Sequence, residues 1–182
     1  MPRLGSYERW PDSAVEYALK AFPEYYRRTV LMAVYTGQRQ GDCLSMTWAQ
    51  YDGAGLEVVQ QKTGARLWVP AHTALKKELD AWKKTATATT ILTGAHGRPW
   101  VTRSFSVQFS AEMRRHPKLH GLVFHGLRKA AAARLAEAGC STLEIMSITG
   151  HASLAEVERY TRQAEQKSRA QAAIYKLEQH RK

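Results

Sequence analysis

Seven side chains in four stretches of this sequence are of types that grip an anion or move a proton. Arg39 follows Gly37-Gln38 at the end of a predicted helix, and Asp42 stands three residues on. That spacing lets a carboxylate hold a guanidinium through charge-assisted hydrogen bonds. Lys62 lies in Gln61-Lys62-Thr63-Gly64, between two β-prone runs, in or beside a tight turn. His125 and Arg128 are three apart in His-Gly-Leu-Arg, so on a helix both project from one face and can bind a single anion. His151 follows Thr149-Gly150, and Tyr160 comes nine residues later. Taken singly, each has an ordinary explanation: a surface ion pair at a turn, a coincidental His-x-x-Arg, a helical tyrosine in a core or interface.

These residues need elements to position them. Val15, Ala18, Leu19 and Phe22 fall at helical spacing after Ser13, predicting a helix that ends before Pro23. A second helix runs from about Glu24 to Thr36, with Gly37 as its stop. Leu56–Gln60 and Leu67–Val69, separated by Thr63-Gly64, read as a small antiparallel sheet. Helical spacing resumes over 72–84, and the Thr/Ala run 85–90 with Gly94, Gly97 and Pro99 reads as a connection. Further helices are expected from Thr102 toward Pro117, from about His125 to Ala138, at 142–149, at 153–161 and at 165–180. No repeat of solenoid period occurs.

The chain has 182 residues, enough for one core, and one domain is expected over 1–182 with residues 1–10 as a linker or tail. Lys and Arg number 27 against 16 Asp and Glu, a formal charge of +11. The excess is uneven, +3 over residues 1–97 and +8 over 98–182, and it calls for a polyanionic partner. No segment pairs a basic face with an apolar one as a membrane-surface helix would, so nucleic acid is the expected partner. No run approaches the roughly 20 apolar residues of a membrane span, and the N-terminus lacks a secretory signal, which predicts a soluble intracellular protein. Cys43 and Cys140 are too few and too far apart for a disulfide framework and are expected as buried free thiols. His116, His120 and His125 are close in sequence, but Pro117 breaks the helix that would align the first two, and no acidic or thiol ligand lies among them.

Order and context change the weight of the seven residues. Thr36-Gly-Gln-Arg39-Gln-Gly-Asp42-Cys-Leu44-Ser-Met46-Thr-Trp48, then the Lys62 turn, then His125-Gly-Leu-Arg128, Gly150-His151 and Tyr160 together closely resemble the catalytic domain of the tyrosine recombinases, the phage-integrase family. The resemblance covers about residues 10–165 and matches all six expected active-site positions. It departs at Thr149, where the family usually has leucine, at Val157, often threonine, and at Arg162, often histidine. Members normally carry an N-terminal helical core-binding domain that closes a clamp on DNA. Only about ten residues precede the matched region, so the chain is expected to be an isolated catalytic fragment or a short member.

The resemblance implies an α+β fold, mostly α-helical, with a small antiparallel β-sheet against a helical bundle. It implies site-specific cleavage and rejoining of DNA through a 3′-phosphotyrosine. Tyr160 is then the nucleophile, and Arg39 and Arg128 bind the non-bridging oxygens. Lys62 is the general acid for the leaving 5′-hydroxyl, His125 assists removal of the phenolic proton, and His151 donates a hydrogen bond to the phosphate. Asp42 orients Arg39. Because a phenol of pKa about 10 is a weak nucleophile at neutral pH, it needs both a proton acceptor and a neutralised phosphate. Two arginines supply that charge, so no metal and no cofactor are expected. The implied partners are double-stranded DNA and further copies of the chain, as a tetramer on DNA, with no membrane and no small-molecule substrate. The expected location is the cytoplasm of a bacterium, at the nucleoid. The competing readings are a type IB topoisomerase, a DNA-binding regulator without catalysis, and a generic basic helical domain.

Overall fold

The computed structural model describes residues 7–180. Eight helices and one hairpin follow in the order α1 (Asp12–Ala21), α2 (Glu24–Thr36), α3 (Gln40–Ser45), β1 (Gly55–Val59), β2 (Arg66–Pro70), α4 (Thr73–Lys83), α5 (Thr102–Arg114), α6 (His125–Glu137), α7 (Thr142–Thr149) and α8 (Leu154–Gln179). The two strands pair antiparallel with Gly55 opposite Pro70 and Val59 opposite Arg66. In β1 the alternation buries Leu56 and Val58 and turns Glu57 and Val59 outward, as a half-covered sheet requires. This is the expected mostly helical α+β architecture. None of the described helices is long and apolar enough to cross a membrane.

Helix α6 is central to the architecture, packing against α2, α7 and α8. Its sequence explains how: Ala130, Ala131, Ala132, Ala133 and Ala136 are all buried, and their small side chains let three neighbours approach one helix closely. A second centre is aromatic. Phe22, Tyr26, Trp100, Phe105, Phe109 and Phe124 stack edge-to-face and offset around the α1–α2 corner and α5, which fixes the N-terminal end of α6 through Phe124.

Four details differ from the expectations. Helix α3 is not among the expected helices, because its six residues show no apolar period of their own. The two helices expected at 153–161 and 165–180 are one continuous α8: no Gly or Pro interrupts it, and the ion pairs Glu158–Arg162 and Glu165–Arg169 lie on either side of the expected break. Its last turns leave Ile174, Tyr175 and Leu177 exposed. Cys43 is buried as expected, and burial raises its thiol pKa to about 12. Cys140, in the loop after the glycine stop of α6, is only partly covered.

Of the expected tail, residues 1–6 lie outside the described residues, while residues 7–10 are docked on α6. Trp10 is 1% exposed and its indole N–H donates to the Val123 carbonyl at 2.8 Å. Arg9 pairs with Glu137 at 2.8 Å. This packing explains the glycine inside His125-Gly126-Leu127-Arg128. A Cβ on Gly126 would stand 2.7 Å from Trp10 Cδ1 and closer still to the Glu8 carbonyl. Gly126→Ala is therefore expected to destabilise the chain by about 1–3 kcal/mol, the usual cost of overpacking, read by denaturant unfolding; unchanged stability would contradict the docking of residues 8–10.

Candidate active site

The C-terminal carbonyls of a helix have no intrahelical partners, and at α7 they are taken by three long side chains from elsewhere. Gln38 Nε2 donates to Ile148 O at 2.8 Å, Gln60 Nε2 to Thr149 O at 2.8 Å, and Arg128 Nη1 also to Thr149 O. The same Arg128 nitrogen donates to Gly37 O at 2.7 Å. Gly37 stops α2 in the left-handed conformation with φ 65°, and a Cβ there would come 2.7 Å from Thr149 Cγ2. Glycine is thus required twice over, by backbone and by space. Through these bonds the α2–α3 turn, the hairpin and the end of α7 meet around one guanidinium.

Arg128 is 2% exposed. Among the described residues no carboxylate hydrogen-bonds to it, and its buried Nη2 has no hydrogen-bond partner. Burial, then the nearby charge of Arg39, lowers its pKa to about 10, with Asp42 and Glu156 opposing. It remains cationic at neutral pH, held by carbonyl dipoles and by the negative end of α7.

Arg39 caps α3 in extended conformation. Its Nη1 donates to Gln60 Oε1 at 2.9 Å and lies 3.8 Å from Asp42 Oδ2, an ion pair longer than a hydrogen bond. The direct hydrogen-bond anchor of Arg39 is therefore Gln60. Asp42 is buried and spends its other oxygen on the Gln61 amide at 2.9 Å, tying the hairpin turn to α3. Lys62 stands in that turn, exposed, and makes no ion pair among the described residues.

The two histidines feel the same cations. His125, the first residue of α6, has its pKa lowered by burial, then by Arg128, Lys129 and Arg39. His151 is lowered further, to about 3, by burial and by Arg128, Arg39 and His125. Its Nδ1 is 2.6 Å from Thr149 Oγ1. Both rings are neutral at pH 7. Tyr160 is half-buried against the Ala132, Ala136, Ile145 and Val157 cluster. Burial raises its pKa, and Arg159, Arg128 and Arg9 partly offset this. Its ring lines a groove of about 570 Å³ with Arg9, Ala133 and Glu137, and its hydroxyl makes no hydrogen bond among the described residues. On the turns of α8 before it, Val157 is buried while Leu154 is 49% exposed.

The structure thus brings Arg39, Arg128, His125 and His151 to one pocket, tethers the Lys62 turn beside them, and holds Tyr160 on α8 along α6. The sequence alone assigned no site role to Gln38, Gln60 or Thr149, all fully buried polar residues. Gln60 does carry a signal: it continues the inward alternation of Leu56 and Val58, a polar residue at a core position.

The phage integrase family model matches residues 12–167. The integrases of Escherichia phage lambda and Enterobacteria phage 434 are 29% and 30% identical over 157 residues, 79% of this chain and 43% of each relative. The solved lambda integrase dimer bound to a COC' core site is 27% identical with a TM-score of 0.67, over 85% of this chain and 47% of that one. The lambda integrase catalytic core is 29% identical with a TM-score of 0.63, over 79% of this chain and 91% of that one. XerA recombinase, at 17% identity, shares the fold with a TM-score of 0.73 over 90% of this chain and 64% of that one. The fold described above is that of a tyrosine-recombinase catalytic domain. This chain belongs to the phage integrase family, and it spans less than half the length of the phage relatives it matches.

A histidine held neutral by the fold costs stability in acid. The unfolded chain takes up a proton near pH 6.5 and the folded His151 only near 3, so the free energy of unfolding, and with it stability, falls as pH drops through that window. Urea unfolding at pH 7, 6, 5 and 4 is expected to show a steeper acid loss for the wild type than for His151→Asn; equal slopes would contradict a neutral buried His151.

Proposed function

We propose that this chain cleaves and rejoins double-stranded DNA at specific sites through a covalent 3′-phosphotyrosine, as an integrase or related recombinase. The observation that carries this reading is the buried Arg128 with an unpaired donor, beside Arg39 and two neutral histidines. A buried N–H without an acceptor is costly, and a phosphate oxygen is an acceptor that also offsets two cations. Relatives that the chain matches at 26–28% identity are lambda integrases solved as dimers on a COC' core site and as a tetramer on a Holliday junction.

In this reading Arg39 and Arg128 hold the non-bridging oxygens of the scissile phosphate and stabilise the charge of its pentacoordinate transition state. His125, neutral and therefore able to accept, takes the phenolic proton of Tyr160. The phenolate oxygen attacks phosphorus, the bond to the 5′-oxygen breaks, and Lys62 gives that oxygen a proton. The products are a phosphotyrosine on the 3′ end and a free 5′-hydroxyl. Attack by a 5′-hydroxyl of another strand reverses the step and rejoins DNA. His151 donates to a non-bridging oxygen throughout. The work takes place in the cytoplasm on nucleoid DNA, with several copies assembled as a tetramer. The exposed Ile174, Tyr175 and Leu177 at the end of α8 are the surface offered to a neighbouring copy.

On a nicked suicide substrate, the wild type is expected to give a protease-sensitive covalent band and Tyr160→Phe none. Stability should change by no more than about 1 kcal/mol, since one unbonded oxygen is removed. An adduct with Tyr160→Phe would place the nucleophile elsewhere. Lys62→Ala should lose most cleavage of ordinary DNA and regain it when the bridging 5′-oxygen is replaced by sulfur, which leaves without a proton. Lack of rescue would make Lys62 a binding residue instead of the acid.

A further inference from the structure

The side-chain amide of Gln60 has two hydrogens and two lone pairs to place, and all four are matched although the residue is fully buried. We infer that Gln60 is a positioning residue that couples Arg39 to Lys62, its one side-chain oxygen being bonded at once to the Arg39 guanidinium and to the hydroxyl of Thr63, the neighbour of Lys62. The inference rests on the strand-transfer reading, in which Arg39 holds the scissile phosphate and Lys62 protonates the leaving 5′-oxygen.

The orientation of the amide follows from partners that have no choice of role. The Thr149 carbonyl can only accept, so the Gln60 atom 2.8 Å from it is Nε2. The Arg39 guanidinium can only donate, so the atom 2.9 Å from its Nη1 is Oε1. Gln38 is fixed in the same way. Its Nε2 donates to the Thr36 and Ile148 carbonyls at 2.9 and 2.8 Å, which leaves its Oε1 to accept the second Nε2–H of Gln60 at 2.7 Å. The remaining lone pair of Gln60 Oε1 takes the Thr63 hydroxyl at 2.9 Å. A glutamate in this place would turn an oxygen toward two acceptors, Gln38 Oε1 and Thr149 O, and would cancel the charge of Arg39.

The same residue closes the turn that carries Lys62. The Gly64 amide donates to Gln60 O at 2.8 Å, and the Gln60 amide donates to Ala65 O at 2.9 Å. With the Gln61 amide on Asp42 at 2.9 Å, both sequence neighbours of Lys62 are tied to the Arg39 side of the pocket, while the lysine itself is exposed. The bond that aims Arg39 and the bond that sets the turn thus end on one atom, so displacing that atom disturbs phosphate binding and proton delivery together.

The test is single-turnover capture of a nicked suicide duplex at saturating protein. Thr63→Val cuts only the arm to the hairpin and should slow capture about fivefold, the worth of one neutral hydrogen bond. Replacing the bridging 5′-oxygen by sulfur, which leaves without a proton, should restore that variant fully. Gln60→Met keeps the length and removes both arms; it should slow capture at least tenfold, and sulfur should restore it only in part. Guanidinium spectra of the 15N-labelled, DNA-free chain read the other arm, with Arg39 assigned by its loss in Arg39→Lys. Arg39 should give separate Nη signals in the wild type and in Thr63→Val, and one averaged signal in Gln60→Met. Thr63 is exposed, so Thr63→Val keeps the fold and decides the hairpin arm even where Gln60→Met unfolds. Wild-type capture by Thr63→Val, a loss that sulfur does not repair, or Arg39 signals unchanged in Gln60→Met would overturn the inference. A wild type that traps no DNA refutes the strand-transfer reading and the inference with it; a wild type that traps DNA no faster than either variant refutes the inference alone.

Discussion

A guanidinium cannot be buried without acceptors, and the way this fold supplies them for Arg128 arranges everything else around the pocket. Two backbone carbonyls do it, Gly37 O at the end of α2 and Thr149 O at the end of α7. Both belong to helix termini, where carbonyls are free and the helix dipole is negative. Satisfying one side chain therefore forces two helix ends together over the first turn of α6. That convergence leaves no room for a Cβ at Gly37, brings His151 beside the cation, and hands the hairpin a docking point through Gln60. A carboxylate in the same place would neutralise the charge; carbonyls satisfy the donors and leave it intact for an anion.

The electrostatic character of the pocket follows from that choice. Burial, reinforced by the charges of Arg128 and Arg39, keeps His125 and His151 neutral, and burial also keeps the half-buried Tyr160 phenol protonated against the opposing pull of Arg159 and Arg128. Such a site is at rest until an anion arrives. A DNA phosphate offsets the like charges, and the neutral His125 is then a competent acceptor for the phenolic proton. Lys62 stands apart on an exposed turn whose base is tied to α3 by Asp42 and Gln60, which gives a flexible stem on a fixed foundation.

The legible parts of this molecule were those with periodicity or punctuation. Helices α1, α2, α4, α5 and α6 have apolar spacing and glycine or proline stops, and the hairpin has β-prone runs about a Thr-Gly turn. The pocket's charged residues were legible because their order and local contexts match a family pattern. The buried amides were not, since Gln38 and Gln60 resemble surface residues until the backbone shows which carbonyls they must satisfy. Thr149 read only as a departure from leucine; its partner, His151, becomes visible only in the turn after α7. Helix α3 is too short to show a period, and α8 runs on through a stretch that has no apolar stripe but no Gly or Pro to stop it either. Arg39 is a case between the two: its neighbour in sequence, Asp42, stands 3.8 Å away, and its hydrogen bond goes to Gln60, 21 residues on.

The central claim is that the phosphate gripped by Arg39 and Arg128 is handed to Tyr160, although that ring lines the groove with Ala133 and Glu137 and its hydroxyl is unbonded. The most direct measurement is to trap the full chain on a nicked duplex, digest the DNA to a single nucleotide and the protein to peptides, and find the modified residue by mass spectrometry. The account predicts a nucleotide joined through its 3′-phosphate to the peptide that contains Tyr160, and absent from every other tyrosine, serine and histidine. A nucleotide on any other residue, or on Tyr160 through a 5′-phosphate, would contradict it.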